Sequence, residues 1–184
     1  MSHAELLAVA VALAMDAVAV SLALGLQLQR PDRRVALLAA AMFGGFQGLM
    51  PVLGWGLSFW FADAVSAVTP WVAFVLLALI GGKMVLEGIR DETEDAFGDV
   101  TVLVLLPLAI ATSIDAAAVG VTFAFLDVAV LPAVVLIGVV TFVLSLGAVL
   151  LGARVGEHLG RWATLAGGTV LVLIGLRILL AHLL

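Results

Sequence analysis

The chain has 184 residues, 65% of them hydrophobic and only 11% charged. Soluble domains hold roughly 45–50% apolar and 25% charged residues, so this composition belongs to the membrane class. Cysteine is absent, which excludes a disulfide framework, thiolate metal sites and cysteine nucleophiles. The net charge of −5 is concentrated in Asp91-Glu92-Thr93-Glu94-Asp95 and Asp99, a run that reads as a solvated loop rather than a docking tail.

A helix needs about 20 apolar residues to cross the hydrocarbon core, and six segments reach that length: 5–26, 35–61, 70–89, 100–125, 129–153 and 162–183. The first is not read as a cleaved leader. Met1-Ser2-His3-Ala4-Glu5 carries no Lys or Arg, and the apolar run continues past the cleavage-like Ala17-Val18-Ala19. Polar or turn-forming stretches separate the spans: Gln29 to Arg34, Asp63 to Pro70, the acidic run after Arg90, Asp127 to Pro132, and Arg154 to Arg161. Trp60, Trp71 and Trp162 fall at predicted ends, where an amphipathic ring suits the headgroups. Continuous apolar runs without strict alternation favour helices over a barrel.

Basic residues set an expected orientation. Arg30, Arg33, Arg34, Arg90, Arg154 and Arg161 all flank the first, third and fifth connections, while the second and fourth carry no Lys or Arg. The positive-inside rule then puts the odd connections in the cytoplasm and both termini outside.

The two halves of the chain repeat each other. Ala14-Met15-Asp16-Ala17-Val18-Ala19-Val20 in the first span parallels Ser113-Ile114-Asp115-Ala116-Ala117-Ala118-Val119 in the fourth. Ile80-Gly81-Gly82-Lys83-Met84 parallels Ile174-Gly175-Leu176-Arg177-Ile178, and Gly48 and Gly147 stand at the same offset as the aspartates. Three spans per unit is odd, so the second unit enters the membrane from the opposite side. The expected fold is an all-α integral membrane protein of six transmembrane helices, built as two inverted-topology three-helix repeats. Residues 1–90 form the first repeat, 91–99 an acidic cytoplasmic loop and 100–184 the second repeat, together one transmembrane domain.

A carboxylate at the centre of a spanning helix costs about 2.5–3.5 kcal/mol on insertion scales, so a matched pair points to use. Two ionised carboxylates in a low-dielectric site repel, which favours a divalent cation or a proton between them. Neutral oxygens are available from Gln47, Thr112, Ser113, Thr141 and Ser145, with Met15 a soft extra. The candidate metal residues are thus Asp16, Asp115, Gln47, Thr112, Ser113 and Ser145, a hard-oxygen set that suits magnesium, calcium or manganese. The plainer role for the hydroxyls is a bond to the carbonyl one turn back. Gly44-Gly45 with Gly48, Gly81-Gly82, Gly152 with Gly156, and Gly167-Gly168 suit close helix packing. Lys83 and Arg177 lie near span ends and can snorkel, and Glu87 follows Lys83 by one turn as an ion-pair partner. Alternatively, Glu87, Lys83 and Arg177 form a gate or an ion-access point.

These motifs together resemble the bacterial MntP manganese efflux pumps of the LysE-type transporter superfamily. The resemblance rests on Ala14-Met15-Asp16-Ala17 with Ser21, Phe43-Gly44-Gly45-Phe46-Gln47 with Pro51, and Gly54-Trp55-Gly56. It continues through Ile80 to Met84 with Glu87-Gly88, and Ala111 to Ala116 with Val119-Gly120. It implies Mn²⁺ as the transported substrate, with no permanently bound cofactor and Asp16 and Asp115 as the binding pair. Some members carry an acid at the place of Gln47, and a neutral group there lowers the charge of the site.

The leading expectation is therefore a Mn²⁺ exporter. Without a phosphate-binding loop it is a secondary transporter, with proton influx as the plausible exchange. Export of Cd²⁺ or a basic amino acid through the same pair is the main alternative. An intramembrane aspartyl protease is remote, because such enzymes resemble a Tyr-Asp plus Gly-x-Gly-Asp pairing and this chain has no tyrosine.

Overall fold

The structure is a computed structural model that describes residues 3–28, 31–90, 100–125, 129–159 and 161–183. These residues form helices and no strands: α1 His3–Gln27, α2 Arg33–Arg90, α3 Val102–Thr112, α4 Ile114–Phe125, α5 Val130–Leu159 and α6 Arg161–Leu183. The acidic run at 91–99 lies outside the described residues.

Local chemistry accounts for several boundaries. Asp32 begins α2 by accepting the N–H groups of Arg34 (2.7 Å) and Val35 (3.4 Å), an N-cap that satisfies otherwise orphaned donors. Pro132 sits in the first turn of α5, where its missing N–H costs little. At the end of α1, the Leu28 N–H turns back to the Gly25 carbonyl at 3.0 Å.

Two boundaries differ from the sequence expectation. The turn expected at 63–70 does not interrupt the helix, since α2 runs unbroken through both the second and third predicted spans. Asp63 and Ser66 are weak breakers, and although an interior proline such as Pro70 costs about 3 kcal/mol, the long helix-forming runs on either side outweigh it. The fourth predicted span, by contrast, divides at Ser113 into α3 and α4, which meet at a 44° bend.

Three stretches among the described residues are long and apolar enough to cross a membrane: Ala4–Gln27, Arg33–Leu57 and Val130–Gly156. The bent pair Val102–Thr112 and Ile114–Ala124 makes a fourth if counted as one span. The chain is a multi-pass membrane protein. Its outer surface is apolar, with Leu103, Leu131, Leu79 and Val143 all exposed, while Trp71 and Trp162 are exposed as expected of interfacial anchors. The Trp60 side chain lies outside the described residues.

Between helices, lipid offers no hydrophobic gain, so close backbone approach over small residues carries the packing. The buried face of α1 recurs every three or four residues: Ala10, Leu13, Ala14, Ala17, Ser21 and Leu24. This face meets α5. A methyl on Gly25 would overlap the Val149 carbonyl and lie 3.0 Å from the Gly152 Cα, and one on Gly152 would overlap the Leu22 carbonyl. Gly152 meets Leu22 and Gly156 meets Leu26, so α1 and α5 run in the same direction. A second reciprocal crossing joins α2 to α4: a methyl on Gly54 would overlap the Ala117 carbonyl, and one on Gly120 the Pro51 carbonyl.

The first half of α2 crosses α5 the other way. Gly44 meets Gly138 and Phe142, whereas Gly48 meets Val134 and Gly138, so these helices are antiparallel. Gly45 and Gly82 have nothing within 4 Å and take no part in such crossings. The core divides into two clusters. One lies around Leu24, Phe43, Leu105 and Val149; the other lies around Leu13, Ala116, Phe123 and Ile137.

Candidate metal site

Asp16 lies in the middle of α1, half-buried, next to the face that packs on α5. Asp115 is half-buried in the first turn of α4, immediately past the break. The two carboxylates are close enough to act on one another electrostatically, and the Gln47 side chain is within interaction range of Asp115. Residues from α1, α2 and α4 thus meet at one place, although 99 positions separate the aspartates in the chain.

Gln47 is fully buried, and its amide nitrogen donates to the Leu13 carbonyl at 2.8 Å. That bond fixes which end of the amide is which. The Gln47 Oε1 is left as a buried acceptor without a partner, and so are the hydroxyls of Ser21, Thr141 and Ser145. Leaving a buried polar atom unpaired costs roughly 1–3 kcal/mol, and such atoms collect where a ligand completes them. Pairing Gly25 with Gly152 and following the parallel run of α1 and α5 brings Ser145 to within about a turn of Asp16.

Thr112 and Ser113 take the plainer role. The Thr112 hydroxyl donates to the Leu108 carbonyl at 2.9 Å, and the Ser113 hydroxyl to the Ala109 carbonyl at 2.6 Å. Both residues are buried. Met15 faces outward and is 46% exposed, because consecutive helical residues point about 100° apart and Asp16 takes the inner direction. The soft extra ligand is therefore not part of the site.

Of the three residues considered for a gate, Arg177 and Lys83 are exposed on the bundle. Arg177 is near enough to Asp16 to act on its charge. The Glu87 side chain lies outside the described residues. Sequence reasoning gave no role to Ser21, which appeared only within a motif, or to Gln27, whose amide is also buried without a partner. A polar side chain inside an apolar span was the available signal for both.

Among the described residues no three His, Cys, Asp or Glu side chains cluster as a metal-binding group. Any cation held here meets two carboxylates and must complete its shell with neutral oxygens, a pattern suited to hard divalent ions.

Comparison with known proteins agrees with that chemistry. Residues 30–179 match the family described as "Putative manganese efflux pump". The chain belongs to the MntP family. A relative from Desulfitobacterium hafniense is 46% identical, covering all of this chain and 97% of its own length. One from Methanospirillum hungatei is 48% identical over 82% of this chain and 79% of its own, and one from Clostridium perfringens is 42% identical over 84% and 83%. Each is named "Putative manganese efflux pump MntP". MntP is by this description a family of transporters, not enzymes. No solved structure matches the chain.

Proposed function

We propose that this protein exports Mn²⁺ from the cytoplasm as a secondary transporter, binding the ion between Asp16 and Asp115 and returning protons in exchange. The observation that carries the reading is the meeting of the two carboxylates beside the buried Gln47 side chain, whose Oε1 is unpartnered, in a chain of the MntP family. Two negative charges balance one divalent cation, and Gln47, with Ser145 and Thr141, offers uncharged oxygens. With the metal gone, two carboxylates sharing a low-dielectric site favour uptake of a proton, which gives exchange a physical basis.

The fold we propose for this task is two inverted three-helix repeats in one membrane domain, with the acidic loop and both other basic connections in the cytoplasm. The two reciprocal glycine crossings support it, because α1 against α5 and α2 against α4 are the pairs that exchanging the halves would interconvert. Arg33, Arg34 and Arg154, all exposed near the ends of spans, support the orientation.

Whole-cell manganese after a Mn²⁺ load tests the function, using cells with and without the protein. The expected outcome is lower retained manganese with the wild type and no reduction with Asp16→Asn. Equal manganese in all three, with the protein present in the membrane, would count against export.

A further inference from the structure

The bend beside Asp115 interrupts the backbone ladder in a specific way. The Ser113 N–H bonds the Ile110 carbonyl at 3.1 Å, one residue short of helical register, and the Ala117 N–H resumes the ladder on Ser113 at 3.3 Å. The Ala116 N–H is taken by the Asp115 carboxylate at 2.7 Å. A continuous helix would give the Ala111 and Thr112 carbonyls the N–H groups of Asp115 and Ala116. Among the described residues neither carbonyl receives a backbone N–H.

These two oxygens belong to the negative end of α3, four and three residues before Asp115. A third carbonyl is freed nearby by chemistry alone. Pro51 has no N–H to give the Gln47 carbonyl four residues earlier in α2. Gln47 is itself fully buried with its Oε1 unpartnered, and its side chain lies within interaction range of Asp115.

The hydroxyls of Thr112 and Ser113 explain how the break persists. Ser113 bonds the Ala109 carbonyl at 2.6 Å and the Ile110 carbonyl at 3.1 Å, and Thr112 bonds those of Leu108 (2.9 Å) and Ala109 (3.4 Å). Hydroxyls that compete for carbonyls one turn back bend helices. Here two hydroxyls, each with two carbonyls in reach of its single proton, tie off the last turn of α3, and α4 starts afresh with Asp115 in its first turn.

We infer that the cation bound by Asp16 and Asp115 is also held by main-chain carbonyls freed at the Ala111–Ser113 break, and that Ser113 is a positioning residue keeping that break open. This rests on the two-aspartate site proposed above. It replaces a direct ligand role for the Ser113 hydroxyl with a conformational one. A main-chain oxygen is a hard, neutral ligand that suits Mn²⁺ and adds no charge to a site already balanced by two carboxylates.

Alanine and glycine separate the two roles at Ser113, since both lack the hydroxyl but only alanine favours a continuous helix. The purified full chain has no cysteine, so spin labels can be placed at Leu103 and Thr122, exposed on α3 and α4, and Mn²⁺ binding measured on the same protein. In Ser113→Ala the label distance should lengthen by about 2 Å as the halves straighten, and Mn²⁺ affinity should fall at least roughly tenfold. Ser113→Gly should keep both the wild-type distance and, within about threefold, the affinity.

Equal loss of affinity in both variants would overturn the proposal in favour of a hydroxyl ligand. Straightening in Ser113→Ala without weaker binding, or no straightening at all, would overturn it as well. The same alanine–glycine contrast at Thr112 serves if Ser113→Ala does not fold. Asp16→Asn run in parallel distinguishes the two levels. If it binds Mn²⁺ like the wild type, the two-aspartate site itself is wrong, and this inference falls with it.

Discussion

The side-chain amide of Gln47 donates to the backbone carbonyl of Leu13, one helical turn before Asp16, at 2.8 Å. This bond ties α2 to α1 beside the aspartate and leaves the Gln47 Oε1 as an unpartnered acceptor. A glutamate of the same length could not make the donation when ionised, so the amide holds two helices together while offering an uncharged oxygen.

Replacing Gln47 by leucine removes both functions at different costs. The Leu13 carbonyl is placed to keep its helical partner, so stability should fall by only about 1 kcal/mol. Manganese transport should drop at least roughly tenfold, the loss common even for groups that support a metal indirectly. Gln47→Glu should weaken the α1–α2 link and change the charge of the site, altering selectivity among divalent ions. Flux in vesicles across Mn²⁺, Mg²⁺ and Cd²⁺ checks both; a leucine variant with wild-type flux would exclude Gln47 from the site.

Ser145 and Thr141 give a prediction with opposite signs for stability and activity. Their hydroxyls are buried without partners, so Ser145→Ala relieves an unpaired polar atom and should leave stability unchanged or raise it by up to about 1 kcal/mol. If the hydroxyl serves the cation, Mn²⁺ affinity falls all the same. Thermal unfolding in detergent alongside Mn²⁺ titration measures the pair; a variant that binds like the wild type would assign Ser145 to packing alone.

The glycine crossings should be intolerant of side chains where backbones touch and indifferent elsewhere. Gly54→Val and Gly120→Val would drive a side chain into the Ala117 and Pro51 carbonyls, and should cost about 1–3 kcal/mol through overpacking. Gly45 has nothing within 4 Å, so Gly45→Ala should change stability by less than about 0.5 kcal/mol. Thermal unfolding of the three variants compares them directly.

Much of this was legible in the chain. Asp16 and Asp115 stand out because an apolar span makes each carboxylate conspicuous, and small neighbours such as Ala14, Ala17 and Ala116 mark the buried faces that bring them together. The break at Ser113 was not legible. Ser and Thr occur inside helices as readily as at their interruptions, and only the observed bonds to carbonyls one turn back reveal which. Met15 was misjudged for a geometric reason: adjacency in sequence turns a helical side chain away from its neighbour, not toward it. The expected turn near Pro70 failed because a single proline in a strongly helical run does not compel a stop.

The joint use of Asp16 and Asp115 is the central claim, and flux through the purified protein in sealed vesicles tests it most directly. Both Asp→Asn variants keep the shape of the side chain, and Asp115→Asn retains an oxygen to accept the Ala116 N–H. Wild-type vesicles should move Mn²⁺ with counterflow of protons, read by a metal-sensitive dye and a pH dye, while Asp16→Asn and Asp115→Asn vesicles move neither. Full Mn²⁺ flux from either variant, at equal protein in the bilayer, would contradict a site shared by the two aspartates.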